Sequence, residues 1–193
     1  MQGFTVDGKQ DDDNKKDSYV NKCVRVEGTG TSENDPLEGF VMKDMMIKHC
    51  GTECVRLKNF VVEAKIQDNN IRHCGMYDFA FGEGGFNGEG IYIGTSSSQQ
   101  WAHGEDRSSG NYIKGNRIAT HGSECVDVKE GSYGNTIEEN TCSDQLEEKS
   151  GCFSVRGDAN TVRNNVGKDC KGVGVRLGGS KVNGHQYGQE NDV

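Results

Sequence analysis

The sequence predicts an all-β fold, a right-handed parallel β-helix of about six to seven coils, on three observations. Six five-residue segments superimpose without gaps, 23–27, 54–58, 90–94, 125–129, 152–156 and 172–176, and each is apolar at its second and fourth positions. A second pattern interleaves with the first at 64–71, 111–118, 135–142 and 160–166, with Asn69, Asn116, Asn140 and Asn165 at one equivalent place. Val (17) and Ile (8) far outnumber Leu (4), which favours strands over helices. Short alternating strands of this kind cannot each bury a core, but stacked on their counterparts they can.

Taken in chain order, the elements follow from that periodicity. Val24 and Val26 open an inward ladder continued by Val55 and Leu57, Ile91 and Ile93, Val126 and Val128, Phe153 and Val155, and Val173 and Val175. Met42 to Ile47 is an early, apolar version of the second pattern. The asparagines are expected to stack at a turn, where an amide can bond the backbone and the like residue on the next rung. Val, Ile, Leu and Phe make up only 36 of 193 residues, a composition that with a net charge of −8 borders on disorder. A narrow coil resolves this, because it needs few inward residues and fills its turns with Gly and Asn. The chain reads as one domain, 1–193, with a ragged tail at 179–193.

The repeat is interrupted by two insertions, 76–89 and 95–110, on either side of the strand at Ile91. They carry Tyr77, Phe79, Phe81, Phe86 and Trp101, with Tyr92 pointing outward between them. Aromatics in polar loops on a rigid scaffold predict a binding rim, since sugar rings stack their apolar faces on aromatic side chains. For the three Phe residues the alternative is that they fold the loop onto the coil. Tyr92, Trp101 and His103 are the candidates for substrate contact.

The outward columns add charge. Arg56, Lys58, Lys129, Arg156 and Arg176 are expected on one wall, with Asp127 among them. Such a wall would attract a polyanion despite the acidic total, the alternative being a solvated face of ordinary ion pairs. The acidic balance disfavours nucleic acid, and no apolar run is long enough to span a membrane. His49 and His73 recur at equivalent turn positions and read as structural.

The stretch from Glu124 through Asp127, Lys129, Asn135 and Asn140 to Arg156 carries the chemistry. Removing a proton beside a carboxylate needs a base and a neutralising cation together. Lys129 and Arg156 lie one rung apart in one column, while Asp127 either orients the lysine or holds Ca²⁺ through oxygen. A neighbouring cation would lower the lysine's pKa and Asp127 would raise it. From about Phe4 to Leu177 the chain resembles the pectate-lyase-like β-helix superfamily. Locally it is similar to chondroitinase-B and alginate-lyase type polysaccharide lyases, in which Glu-x-Ile-x-x-Lys-Ser precedes Asn-Thr-x-x-x-Asn-Thr and then Leu-Arg. That resemblance implies Lys129 as Brønsted base, Arg156 as the partner assisting the leaving oxygen, and Glu124 as a calcium ligand. Glu130 stands where the family has Ser, and Gly122 where it has a second acidic ligand.

The expected function is a secreted lyase acting on an acidic polysaccharide. Its site would be Lys129 and Arg156, with Arg56, Lys58, Tyr92, Trp101, His103 and Arg176 contacting substrate and Glu124 and Asp127 as candidate Ca²⁺ ligands. The alternatives are a non-catalytic carbohydrate-binding module and a structural or adhesive surface protein. Eight cysteines, an even number, predict an oxidising compartment and some disulfides. Stacking makes Cys23 with Cys54, Cys50 with Cys74, and Cys125 with Cys152 feasible pairs, with Cys142 and Cys170 left over; a ladder of reduced thiols is the alternative.

Overall fold

The computed structural model describes residues 1–10, 14–30, 32–82, 87–99 and 104–193. Three parallel sheets wind around one narrow core. The first sheet stacks Val24–Glu27, Val55–Lys58, Ile91–Ile93, Val126–Val128, Gly151–Val155 and Val173–Leu177. The second stacks Val41–Lys43, Lys65–Gln67, Tyr112–Lys114, Thr136–Glu138 and Thr161–Arg163. The third stacks Thr5–Asp7, Met46–Lys48, Asn70–Arg72, Arg117–Ala119, Thr141–Ser143 and Val166–Lys168. Every pairing within these three sheets is parallel.

The inward ladders form as the alternation predicts from Val24 to Val155, with Val55, Leu57, Ile91 and Ile93 wholly buried beside Ile66, Ile71, Ile113 and Ile118 from the other sheets, whereas Val173 and Val175 on the end rung are exposed and lie outside the core. The last rung departs from the gapless alignment. Val173 pairs with Gly151, so Phe153 faces Val175 and Val155 faces Leu177. The link between Ser143 and Gly151 is longer than that between Lys168 and Val173, so the returning chain enters the sheet two residues early. A slip of two preserves which face each side chain occupies. It nevertheless moves Arg176 out of the column of Lys129 and Arg156 and sets it, exposed, beside Ser154.

The predicted asparagine ladder is present and fully bonded. Asn116 Oδ1 accepts from the backbone N–H of Asn69 at 3.0 Å and from its Nδ2 at 2.8 Å, while Asn116 Nδ2 donates to Ile66 O and Asn140 Oδ1. Asn140 and Asn165 continue the same geometry. A second ladder, of Asn111, Asn135, Asn160 and Asn191, runs at the preceding corner. The tail that supplies Asn191 is therefore not ragged. It folds as an antiparallel hairpin, Lys181–Val182 on His185–Gln186, and then pairs Asp192 with Thr161. Because Asn116→Ala would strand buried donors on Asn69, it is expected to cost about 2–3 kcal/mol, read as a lower urea midpoint.

The cysteine columns are real, but the pairing differs from the stacked one. The disulfides are Cys23–Cys50, Cys54–Cys74, Cys125–Cys142 and Cys152–Cys170, and no described cysteine is free. Each joins the start of a coil to its own end, so that the bond closes a ring of the backbone. Cysteines stacked on adjacent rungs have parallel Cβ directions, whereas the two ends of one coil face each other with Cα atoms 5.4 to 6.0 Å apart. The third coil has no such bond. Gly90 stands in its cysteine column, and a Cβ there would meet Ile118 Cγ2 at 2.5 Å.

Candidate functional site

The site lies on the outer face of the first sheet, over the middle rungs. Tyr92, Asp127 and Ser154 are direct neighbours across three strands, and Arg56 precedes Tyr92 in the same column. One column over, Lys129 and Arg156 follow Val128 and Val155, which pair with each other. Gly94 occupies that column between Lys58 and Lys129. Its φ of +86° and the 2.1 Å separation a Cβ would have from Ser132 Oγ explain why no side chain stands there.

These residues converge. Lys129 Nζ bonds Asp127 Oδ2 and lies 3.6 Å from Glu89 Oε1. Arg156 donates to Asp127 Oδ2 at 3.2 Å and stands 3.8 Å from Glu130. The Tyr92 ring carries two cations, Lys129 Nζ at 4.2 Å from its centroid and the Arg56 guanidinium at 4.6 Å. Arg56 also pairs with Glu53 at 3.0 Å. Glu124 accepts from Ser123 at 2.6 Å and from Ser150. The wall is thus not a bare cationic patch. Arg56, Lys129 and Arg156 are each matched to buried carboxylates, and Asp127 is completely buried.

Glu53, Glu89 and Glu130 were not among the candidates read from sequence. A signal for two of them exists, because Glu53, Glu89 and Glu124 each immediately precede the first repeat position on consecutive rungs. Residues 95–99 lie against the cluster. Ser97 N–H donates to Glu130 at 3.2 Å, and Arg56 donates to Gln99 at 3.3 Å. Asp106 anchors this segment. Its carboxylate accepts from Thr95 and Ser108, and from the backbone N–H groups of Asn59 and Phe60, which share positive φ and form an anion nest.

Other candidates lie apart. Lys58 is half-buried beyond Gly94, and Arg176 is exposed on the last strand. Trp101 and His103 fall outside the described residues, as does Phe86. In the first insertion Tyr77 and Phe81 turn away from the site and form no rim over it, while its last residue, Glu89, enters the cluster. The insertion begins with a single helical turn, Met76–Phe79, and packs toward the N-terminal segment, with Tyr77 bonded to Tyr19 O at 2.8 Å and Phe81 5.8 Å from the Tyr19 ring.

Comparison with known proteins places this geometry in context. The family described as right handed beta helix region matches residues 23–186. The chain belongs to the right-handed β-helix family. Among solved structures, this β-helix is similar to the alginate lyase from Paenibacillus sp. str. FPU-7, with a TM-score of 0.52 and 21% sequence identity. The match covers 86% of this chain and 54% of the lyase, so the β-helix spans about half the length of that relative. A search of curated protein sequences finds no match. No helix among the described residues is long and apolar enough to cross a membrane.

The electrostatics of the β-helix site follow from burial against charge. Burial pulls the Lys129 ammonium toward neutrality, but Asp127 and Glu89 outweigh it and raise its pKa, so the resting side chain is charged. Burial pushes Glu89 up to about 7, against the pull of Lys129 and with the push of Glu124 and Asp127. The Tyr92 phenol is pushed up to about 12, chiefly by burial. Glu89, Glu124 and Asp127 offer oxygens within 4.8 Å of one another, and Asp127 Oδ1 is buried without a hydrogen-bond partner. Hard oxygens of this kind are what Ca²⁺ takes, but three carboxylates supply only part of its about six to eight ligands, and most of their oxygens already accept from or pair with Lys129, Arg156, Ser123, Ser150 and Gly88 N–H.

Proposed function

We propose that this protein is a secreted polysaccharide lyase that cleaves a uronate-containing chain by β-elimination on the outer face of the first sheet. The observation that carries the reading is the convergence of Lys129, Arg156, Asp127 and Tyr92 with the acids Glu89 and Glu124 on one water-poor cluster. Four disulfides support an oxidising compartment.

In the proposed reaction Lys129 takes the proton beside the uronate carboxylate, a carbon–carbon double bond forms, and the bond to the leaving sugar oxygen breaks. Arg156 stabilises the charge that develops and assists protonation of that oxygen, the proton itself coming from water. The ammonium must first give its own proton to solvent, and the carboxylates around it oppose this. Ca²⁺ held by Glu89, Glu124 and Asp127 would take up that negative charge and neutralise the substrate carboxylate. Tyr92, protonated and flanked by Lys129 and Arg56, offers a phenol for hydrogen bonding. Arg56, Lys58 and Arg176 extend the cationic character along the sheet, and Trp101 and His103 belong to the same proposed contact set.

The test is to incubate the protein with alginate, pectate and glycosaminoglycans and follow the ultraviolet absorbance of the unsaturated product. Product is expected from the wild type, with a loss of at least about 100-fold in Lys129→Met, the scale of a removed general base. Product formation that survives this substitution eliminates Lys129 as base. Chelation of divalent cations is expected to lower the rate and added Ca²⁺ to restore it; a rate indifferent to both removes the metal from the scheme. Binding without product would point instead to a non-catalytic carbohydrate-binding module, a reading favoured by the resting charge on Lys129.

A further inference from the structure

The outer face of the third sheet carries cations in a different setting. Alternation buries Ile71, Ile118 and Cys142 and turns Arg72, Arg117 and Lys168 outward. Together with the corner residues His73 and His121 they line a trough of about 620 Å³. Arg72 Nε donates to Asn70 Oδ1 at 2.7 Å, and among the described residues no carboxylate pairs with Arg72, Arg117 or Lys168. The acid on the trough wall, Asp144, accepts from Ser143 at 2.9 Å instead. Arg56, Lys129 and Arg156 of the first sheet are matched internally and Lys48 of the third is held by Asp7 at 2.9 Å, whereas Arg72, Arg117 and Lys168 are left available.

Two further features make the trough a site. His49, His73 and His121 stack on successive corners, with ring centroids 5.0 and 4.5 Å apart. Within the stack, His73 Nδ1 is buried without a hydrogen-bond partner. Burial first, then its histidine neighbours, lower the His73 pKa, so the ring is a neutral polar group rather than another cation. The second feature is axial spacing. Arg72 and Lys168 share one column three rungs apart, and Arg117 stands on the rung after Arg72 in the next outward column, opposite Asn70, at about 4.8 Å per rung. An extended glycan laid along the axis advances about one sugar ring per rung.

We propose that this trough holds an anionic glycan with one carboxylate per sugar, lying along the helix axis, at a site separate from the first-sheet cluster. The choice of a uronate chain rests on the function proposed above; the affinity for an anion rests on the trough alone. Arg72 and Arg117 engage carboxylates on neighbouring sugars, Lys168 engages one farther along, and Thr141 and Ser143 offer hydroxyl groups between them. Nucleic acid fits less well. No Phe, Tyr or Trp lines the trough to stack on bases.

The experiment titrates oligoalginate and oligogalacturonate of defined length into the full-length, disulfide-bonded Lys129→Met protein, with a neutral cello-oligosaccharide and single-stranded DNA as comparators. Binding is followed by calorimetry and by the imidazole NMR signals of His73 and His121. Acidic oligosaccharides are expected to bind and to shift both imidazoles. Combining Arg72→Ser, Arg117→Ser and Lys168→Ser is expected to weaken binding at least tenfold. These exposed substitutions should leave the far-ultraviolet circular dichroism unchanged and, made in the otherwise wild-type chain, the turnover of short substrates. Affinity retained within twofold by the triple variant, unmoved imidazole signals, or DNA binding as tight as the oligouronates would overturn the proposal. If the wild type forms no product while the triple variant still loses affinity, the trough stands and the lyase reading falls.

Discussion

Reduction of the four disulfides is expected to unfold this protein under conditions in which the oxidised form is native. The rings span sequence separations of 27, 20, 17 and 18 residues and do not overlap along the chain. Each therefore restricts a different stretch of the unfolded ensemble, and loops of this length contribute about 3 kcal/mol apiece. Together that is on the order of 12 kcal/mol, comparable with the whole stability of about 5–15 kcal/mol typical of a domain. Circular dichroism before and after a reductant, with thiol counting, measures the effect. Replacing one pair alone, Cys125→Ser with Cys142→Ser, should lower the melting temperature by roughly 6–12 °C. Melting unchanged by complete reduction would mean that the core holds the coils without the rings.

The second large effect is at Asp127. Its carboxylate is fully buried and accepts from both Lys129 and Arg156. Asp127→Ala leaves two cations in a dry cluster, and breaking a buried pair from one side costs about 3–5 kcal/mol. Chemical denaturation of the variant measures this directly. Combining it with Lys129→Met should recover much of the loss, because the unpaired ammonium is removed and Glu89, poised near neutrality by burial, can take up a proton. A single-variant cost below about 1 kcal/mol would place the cluster in water instead, where ion pairs contribute that little.

The fold was legible because period-two alternation and a recurring Asn each have one geometrical solution when stacked. Val55, Ile91 and Val126 sit where their repeat position puts them. Two things were not legible. Pairing register at the last rung depends on the length of a return loop, which an alignment of strand residues ignores, and this displaced Val173 and Arg176. Disulfide partners depend on the direction of Cβ rather than on Cα proximity, and columns alone make vertical neighbours look as good as horizontal ones. The chemistry was half legible. Lys129, Arg156, Asp127, Glu124, Tyr92 and Arg56 do meet, but outward-facing was read as solvent-facing. Residues 95–99, anchored by Asp106, pack against that face, and the carboxylates of Glu53, Glu89 and Glu130 lie just outside the five positions over which the repeat was compared.

The coil without a disulfide gives the molecule a mechanical asymmetry. Under tension applied at the termini, a closed ring transmits force across its sulfur bond, and the backbone between its cysteines cannot be drawn out. The longest run free to extend is 75–124, between Cys74 and Cys125. At about 3.3–3.6 Å per residue it is a tether of roughly 170 Å. That run carries Glu89, Tyr92 and the residues 95–99 that lie against the candidate site. A pull that leaves the ringed coils intact would dismantle the site first, so the strand at the centre of the chemistry is also the compliant link in the chain.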